Sequence, residues 1–459
     1  MGSYHLSMEE VEVTLHRDLK PTRVWGFNGS SPGPVIEMQS GKAATVEWAN
    51  RLPKKHLFPV DYTLHGAERD KPEGRSVIHL HGGRTPVDSD GYPENCVPSG
   101  KSQICYYPNN QDAAALYYHD HAMGISRLNV YAGLHGLLLV RDESEPALKL
   151  PKGKYEVPLV LCDRMVGTAG QLLYPVSGNA EKPWVQEVRG NVVLANGKIT
   201  PYLDVEPHRY RLRIVNASNG QEFNLSLEGG NGMYVIGTDQ GLLSAPVKVK
   251  NLLMVPGERA DVIVDFTESS GGKIVMKSEA MPIMQFRVKP SDGRDESYLE
   301  PSLQPVRRLR ERDAQNVRRL TLDPAGTSSE SPGMTLNRTA WHMPVTEKPV
   351  LGTTEIWEFV NLTEITQPVH LHMVRFQVLD RRGFDVALYK EKGELRYIVP
   401  PNRIAADEAG WKDTVRCEKG QVTRIIVPFE PYTGRYVWHS HLLEREDNGM
   451  MRPFEIVQA

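Results

Sequence analysis

Histidines separated by a single residue recur along the chain. Eight of the 15 histidines among the 459 residues form four such pairs, which are His79 and His81, His119 and His121, His370 and His372, and His439 and His441. Residues that favour strands precede the last pair, as in Tyr436, Val437 and Trp438. Because side chains alternate along a strand, the two imidazoles of a pair share one face, roughly 6.6–7 Å apart along the backbone. This spacing allows neighbouring histidines to bind one metal ion or two adjacent ions.

The number of pairs exceeds what chance predicts. Random placement of the histidines would give roughly half a pair, and a single pair would be interpreted as two unrelated histidines on a strand. Four pairs, two early and two late in the sequence, predict a multinuclear metal centre. Imidazole suits copper, whereas magnesium and calcium prefer oxygen ligands, and ligand type by itself leaves zinc open.

Many short strands must position these pairs. The chain is long enough for about two to four domains, and its 39 glycines and 33 prolines, with short stretches of apolar alternation, favour an all-β fold. We predict a first unit at 1–145, a second at 152–290, a charged linker at 291–319 and a third unit at 320–459. The first and third units carry two histidine pairs each and the second carries none. The pairs must therefore converge where the outer units meet.

Composition and charge argue against several function classes. The net charge of −3 gives no basis for predicting a nucleic acid or an anionic membrane as a partner. No apolar run approaches the ~20 residues that a transmembrane helix needs. The sequence does not show a basic segment followed by an apolar one, so we predict no signal peptide. These features leave the localisation undetermined, and we expect a monomer.

The cysteines are few for a chain of this length. Cys96 and Cys105 lie nine residues apart and form either a local disulfide or two free thiols, because spacing does not establish the geometry. Cys162 follows an apolar run and is predicted to be a buried strand residue. Cys417 has no evident role.

Longer motifs around the histidine pairs resemble those of a known family. They are VIHLHGG at 77–83, DSDGYPE at 88–94, YHDHAM at 118–123, WH at 341–342, PVHLH at 368–372, VLDRR at 378–382, GWKD at 410–413 and the segment 434–452. The sequence resembles a three-domain multicopper oxidase, most closely the bacterial spore-coat laccase type, with bilirubin oxidase further off. The resemblance covers nearly the whole chain. It implies three Greek-key β-sandwich domains of the cupredoxin type and favours a cytoplasmic or spore-associated protein.

The resemblance also implies a trinuclear copper cluster and its ligands. His79 and His370 would bind the type 2 copper, and the type 3 pair would be bound by His81, His119, His121, His372, His439 and His441. About three copper ions per chain are expected, with dioxygen as the electron acceptor and a small molecule, of an aromatic class, as the substrate. Reduction of dioxygen to water also takes protons. Asp90 and Glu446 match the acidic positions that the family uses for this purpose, although either could instead be a surface acid.

The sequence departs from the family at the type 1 copper, which takes electrons from the substrate. The ligands of that copper are a histidine, a cysteine thiolate, a second histidine and a weak axial methionine. The corresponding positions here are Gln367, Ser440, Arg445 and Met450. A serine hydroxyl does not replace a soft thiolate, a glutamine offers no imidazole, and a protonated arginine has no lone pair to donate. We therefore predict that the type 1 copper is absent.

Three interpretations of this departure remain open. In the first, the chain is an oxygen-dependent copper enzyme that oxidises its substrate directly at or near the cluster. In the second, it is a degenerate relative that binds copper or assembles structurally without turnover. In the third, the type 1 site was removed by engineering. The eight intact histidines favour the first interpretation.

Arg445 has two interpretations of its own. It either fills the vacated position while paired with Glu444 or Asp447, or it faces an anionic or carbonyl group of a substrate, because guanidinium groups bind carboxylates well. Gln367, Ser440 and Arg445 can share hydrogen bonds, so the emptied site need not be a void. These three residues and Met450 are the candidate lining of a substrate pocket.

Overall fold

The first part of the chain forms a β-sandwich. The computed structural model of the protein describes residues 2–143, 145–291, 293–326 and 333–459. The elements of this part are β1 (Gly2–Val13), β2 (Thr22–Phe27), β3 (Ile36–Gln39), β4 (Ala44–Asn50), β5 (Ile78–His81), β6 (Ser102–Tyr107), β7 (Ala114–Asp120), α1 (Ser126–Ala132) and β8 (His135–Arg141). One sheet has the strand order β2-β1-β4-β6 and the other β3-β8-β7-β5. Trp25 and Trp48 of the first sheet and Leu116 and Tyr118 of the second share one hydrophobic core.

The second part forms another sandwich, with no histidine pair. Its strands are β9 (Glu156–Val166), β10 (Leu172–Leu173), β11 (Val192–Ala195), β12 (Lys198–Ile199), β13 (Tyr202–Val205), β14 (Arg209–Asn216), β15 (Phe223–Glu228), β16 (Met233–Thr238), β17 (Gly241–Val249), β18 (Asn251–Met254), β19 (Arg259–Asp265), β20 (Lys273–Ser278) and β21 (Met281–Val288). The sheets have the orders β12-β11-β9-β14-β19-β16-β17, with β10 on β9, and β13-β21-β20-β15-β18. Leu212 and Val262 of one sheet pack with Phe223 and Phe286 of the other.

The third part repeats the arrangement. Its elements are β22 (Asn316–Asp323), β23 (Thr335–Leu336), β24 (Thr354–Asn361), β25 (Gln367–Leu371), β26 (Gln377–Gly383), α2 (Val386–Lys392), β27 (Thr414–Cys417), β28 (Gln421–Pro428), β29 (Gly434–Ser440), α3 (Leu443–Asp447) and β30 (Met451–Ile456). The sheets have the orders β23-β22-β24-β28-β26 and β27-β25-β29-β30. Trp357 and Ile425 of one sheet meet Val369 and Trp438 of the other in the core.

The burial of a strand depends on whether another sandwich packs against its outer face. In β3, Ile36 and Met38 are buried while Glu37 and Gln39 are exposed, which is the alternation of a strand with one solvated face. By contrast, β7 is buried along its whole length, because β14, β17 and β19 of the second sandwich pack against it. The strands that carry histidines therefore lie between sandwiches rather than at the surface.

All three sandwiches contain a parallel strand pair. β1 pairs in parallel with β4, β9 with β14, and β22 with β24. A parallel pair needs a crossover connection, which excludes a simple meander of hairpins. The predicted all-β fold of three cupredoxin-like sandwiches is confirmed. The boundaries at 145, 152, 290 and 320 stay a prediction.

The cysteines and the short helices complete the fold. Cys96, Cys105, Cys162 and Cys417 are all free thiols, so Cys96 and Cys105 form no disulfide, and Cys162 is buried in β9 as predicted. Short 3-10 helices occur at Val87–Ser89, Glu145–Leu148, Gly153–Tyr155, Glu311–Asp313 and Ala406–Glu408. Among the described residues, no helix has the length and apolar character needed to cross a membrane.

Candidate metal centre

Strand pairing brings the histidines of each outer sandwich side by side. His79 on β5 lies opposite His119 on the antiparallel strand β7, and His370 on β25 lies opposite His439 on β29. The second histidine of each pair lies on the same strand or just beyond its end. All eight side chains are at most 1% exposed, so the packing of the sandwiches seals them from solvent.

The first and third sandwiches meet at these histidines. The Nε2 atoms of His79 and His370 are 3.4 Å apart. Two imidazole pairs stack across the contact, with 3.5 Å between the ring centroids of His81 and His370 and 3.6 Å between those of His79 and His372. The histidine pairs from both sandwiches therefore converge on one buried volume.

The converging imidazoles form groups suited to metal ions. The groups are His79, His81 and His370; His81, His119 and His441; and His121, His372 and His439. In each group, one ligand atom per residue lies within 4.8 Å of the others. Three protein ligands leave a position open at a metal ion, as in catalytic rather than structural sites.

Burial favours the neutral form of several of these imidazoles. It lowers the pKa of His79, His370 and His441 well below the ordinary value, and repulsion among the neighbouring rings lowers it further. The pKa of His119 falls to about 3, mainly through burial. Nδ1 of His81, Nε2 of His119 and both ring nitrogens of His441 find no hydrogen-bond partner among the described residues. Neutral imidazoles with unused nitrogen atoms are what a metal ion requires.

Backbone carbonyls fix the orientation of two of the rings. Nδ1 of His79 donates to the carbonyl of Asp90 at 2.6 Å, and Nδ1 of His370 donates to that of Asp413 at 2.8 Å. A carbonyl only accepts, so Nδ1 carries the proton and the lone pair lies on Nε2, toward the other imidazoles. Metal-binding histidines are commonly oriented in this way. The donor set therefore fits a cluster of metal ions.

Asp90 and Glu446 both lie beside the histidines. A carboxylate oxygen of Asp90 is 2.8 Å from Nδ1 of His372, and one of Glu446 is 3.0 Å from Nδ1 of His439. Asp90 is 1% exposed and Glu446 is 2% exposed, so neither is a surface acid. Burial raises the pKa of Asp90 well above the usual range for a carboxyl group.

The second sandwich also reaches the site, through residues that the sequence did not single out. Asp413 lies 3.0 Å from Nε2 of His81. Arg259 of β19 donates to Asp413 at 2.7 Å, and Gln240 donates to it at 2.6 Å. Asp413 belongs to the GWKD motif, which could have drawn attention to it, whereas no sequence pattern marks Arg259. The histidine-free sandwich thus holds a carboxylate against the cluster.

Comparison with known proteins gives the family. Family models described as "Multicopper oxidase" match residues 8–74 and 69–145, 179–285 and 312–459. A laccase of Bacillus subtilis (strain 168) is 46% identical, with 99% of this chain and 94% of that protein covered. A laccase of Bacillus stratosphericus is 44% identical, with 99% and 95% covered. The crystal structure of a laccase from Pediococcus acidilactici superposes with a TM-score of 0.82 at 27% identity, covering 99% of this chain and 89% of that one.

The chain belongs to the multicopper oxidase family. This multicopper oxidase is a copper-dependent oxidoreductase that uses dioxygen as the electron acceptor, as the sequence predicts. Copper is accordingly the metal that the histidine groups fit.

In this multicopper oxidase, two of the four residues at the expected type 1 position are hydrogen-bonded to each other. Gln367, Ser440 and Met450 are fully buried. The hydroxyl of Ser440 donates to the amide oxygen of Gln367 at 2.8 Å, and the amide nitrogen of Gln367 donates to the hydroxyl of Thr363 at 3.1 Å. The side chains of Ser440 and Gln367 therefore have hydrogen-bond partners inside the protein.

Arg445 does not join this network, so the prediction that it shares hydrogen bonds with Gln367 and Ser440 is wrong. Its side chain is 4% exposed, and its Nη1 atom is buried without a partner among the described residues. The predicted pairing with Glu444 or Asp447 is wrong as well. Glu444 accepts a hydrogen bond from the Tyr174 hydroxyl at 2.9 Å, and Asp447 pairs with a different arginine at 2.8 Å.

Proposed function

We propose that this multicopper oxidase holds a trinuclear copper cluster, lacks the type 1 copper, and oxidises a small aromatic substrate directly at or near the cluster. The observation that carries the proposal is the convergence of eight buried imidazoles from two sandwiches into three groups of three, two of which share His81. Nothing about the neighbouring Gln367, Ser440 and Arg445 offers a comparable set of free donors.

The ligand assignment follows the histidine groups. His79 and His370 would hold the type 2 copper, and the type 3 pair would be held by His81, His119, His121, His372, His439 and His441. About three copper ions per chain are expected. Bound copper supplies the one-electron redox chemistry by which four electrons reach dioxygen. The composition of the groups supports this assignment. His121, His372 and His439 form one group and His81, His119 and His441 form another, as expected for the two ions of a type 3 pair.

Asp90 and Glu446 are the proposed proton donors. Conversion of one dioxygen to two waters consumes four protons, and a buried site needs fixed groups to deliver them. Asp90 holds its proton more readily than an exposed aspartic acid because burial disfavours its charged form. One oxygen of Asp90 and both oxygens of Glu446 lack hydrogen bonds to the described residues. These oxygens lie beside the imidazoles and could pass protons to water in the site.

The absence of the type 1 copper is supported by the chemistry of the three replaced positions. The Ser440 hydroxyl is engaged with Gln367, and a hydroxyl lacks the soft character of a thiolate. The guanidinium of Arg445 has no lone pair for a metal ion and would repel one. Met450 alone offers only the weak axial ligand.

Copper content and spectroscopy test the proposal. The copper-loaded protein should hold about three copper ions per chain, give the EPR signal of a type 2 copper, and lack the intense blue colour of a copper–thiolate bond. It should also consume dioxygen when given a small aromatic reductant. A fourth copper with strong orange-red absorption would overturn the absence of the type 1 site. Full copper loading without dioxygen consumption by any reductant would favour the degenerate relative instead.

A further inference from the structure

A small cavity lies beside the vacated type 1 position. It has a volume of about 130 Å³ and opens between the second and third sandwiches. Its apolar walls are Val255 and Pro256 from the second sandwich and Ile365, Pro368 and Leu442 from the third. We call this space the Arg445 cavity, because the side chain of Arg445 also lines it.

Arg445 is an exception among the buried arginines of the described residues. Arg127 pairs with a carboxylate at 2.8 Å, Arg213 with one at 3.0 Å, and Arg381 with one at 2.7 Å. Arg445 is 4% exposed and makes no side-chain hydrogen bond or ion pair with a described residue, and its Nη1 atom is buried. A buried cationic donor without an acceptor is costly, so it calls for a partner that the chain itself does not supply.

The nearby carboxylates are engaged elsewhere or solvated. Glu444 accepts hydrogen bonds from Tyr174 at 2.9 Å and from Asn219 at 2.7 Å. Glu187 and Glu222 also line the cavity, but both are exposed, so solvent and salt screen the attraction that Glu187 exerts on Arg445 without forming an ion pair with it. The guanidinium is therefore left for a molecule that enters the cavity.

The walls and the volume of the cavity limit the charge, shape and size of the molecule that it can bind. A guanidinium binds a carboxylate through two parallel hydrogen bonds, and the proline and aliphatic walls suit a flat apolar ring. A protein cavity of roughly 150 Å³ accommodates benzene, so a cavity of about 130 Å³ suits one ring and is too small for a fused-ring dye.

We propose that the Arg445 cavity binds a single-ring aromatic carboxylate, with the carboxylate on the guanidinium and the ring between the apolar walls. This inference rests on the proposed function, for which it names the substrate class, the hydroxybenzoates. The cavity adjoins the metal centre through the backbone, since Leu442 follows His441 and the carbonyl of Pro368 accepts from the His441 amide at 2.6 Å. Oxidation of four such phenols to phenoxyl radicals releases four electrons and four protons, which convert one dioxygen into two waters.

Calorimetric titration of the copper-loaded protein tests the site with benzoate, which carries the carboxylate but no oxidisable hydroxyl. Benzyl alcohol is the neutral probe of the same size. Benzoate should bind at least tenfold more tightly than benzyl alcohol, without changing the EPR spectrum of the copper. Arg445→Gln should weaken benzoate binding at least tenfold and leave benzyl alcohol within twofold. Arg445→Lys, which keeps the charge but loses the paired donors, should fall between the two.

The control is Arg17→Gln, which removes the same charge from an arginine whose side chain is 89% exposed, and it should change neither affinity more than twofold. Equal affinities for the two probes, or benzoate binding that survives Arg445→Gln, would overturn the site. Failure of the site and failure of the proposed function are distinguishable. Benzoate binding through Arg445 in a protein that proves to have a type 1 copper retains the site and rejects the function. Dioxygen consumption with neutral phenols, without benzoate binding, retains the proposed function and rejects the site.

Discussion

The candidate metal centre and the neighbouring type 1 position share a segment of the chain. They differ in whether the side chains keep unused lone pairs after their hydrogen bonds have formed. At the metal centre, backbone carbonyls accept hydrogen bonds from Nδ1 of His79 and His370, which leaves the Nε2 lone pairs of these rings unused. At the type 1 position, the Ser440 hydroxyl and the Gln367 amide bind each other. The two regions thus differ in donor chemistry, because the imidazoles keep a basic nitrogen lone pair, whereas Ser440 and Gln367 offer only a hydroxyl and an amide that are already bonded to each other.

Rebuilding the type 1 position should give the largest effect. If the proposal is right, Gln367→His, Ser440→Cys and Arg445→His together should create a blue copper site and raise the oxidation of large dyes by about 100-fold or more, because the variant places a thiolate and two imidazoles beside Met450. Copper analysis, visible absorption and dye oxidation measure the result. Fast dye oxidation by the unmodified chain would remove the contrast between the two regions. A triple variant that gains copper yet stays inert would show that the cluster itself does not reduce dioxygen.

Removing a proton donor should have the next largest effect. Glu446→Gln keeps the side-chain volume but cannot deliver a proton, so dioxygen consumption should fall by about 10² to 10⁴. Copper content should stay the same, since Glu446 is not in any of the histidine groups. Glu391→Gln, at an exposed position of α2, is the matched control. Unchanged consumption, or a loss that only parallels a loss of copper, would contradict the proton role.

Breaking the contact from the second sandwich should have a smaller effect. Arg259→Met leaves the carboxylate of Asp413 without its arginine, so copper affinity should fall by about 10- to 100-fold, as for other partners of metal ligands. Competition with a chelator measures this affinity. Arg213→Met is the control, because it breaks the buried pair with Glu156 in the same sandwich without touching the metal centre. Equal losses in both variants would mean that the effect is general destabilisation.

The effect of copper on thermal stability should be the smallest of the four changes. Copper held jointly by the first and third sandwiches stabilises the native state, by about 2.7 kcal/mol at a free copper concentration 100 times Kd. Chelation should therefore lower the melting temperature by about 3 °C for each ion removed, given the unfolding entropy of a chain of this length. The measurement compares calorimetric scans of the loaded and copper-free protein at one scan rate. Identical scans would be incompatible with copper shared between the sandwiches.

The sequence predicted the histidines but not the contacts that select among interpretations. Period-two spacing is a local property, so His79 and His81 could be recognised without a structure, and the family motifs supplied their partners. Arg259 could not be recognised, because its partner Asp413 lies 154 residues away. The state of Arg445 could not be predicted for the same reason. Glu444 is adjacent in sequence, yet it is occupied by Tyr174 from 270 residues away.

The convergence of histidines from two sandwiches also determines when, during translation, the site can form. His79 and His439 are separated by 360 residues, which a ribosome takes about 20 to 70 seconds to add at 5–20 residues per second. Domains generally fold as they emerge, N-terminal first, so the first sandwich waits for that time with four histidines and no partners. During this interval it carries only half of the eight histidines. The complete set becomes available to copper only after the last sandwich has folded.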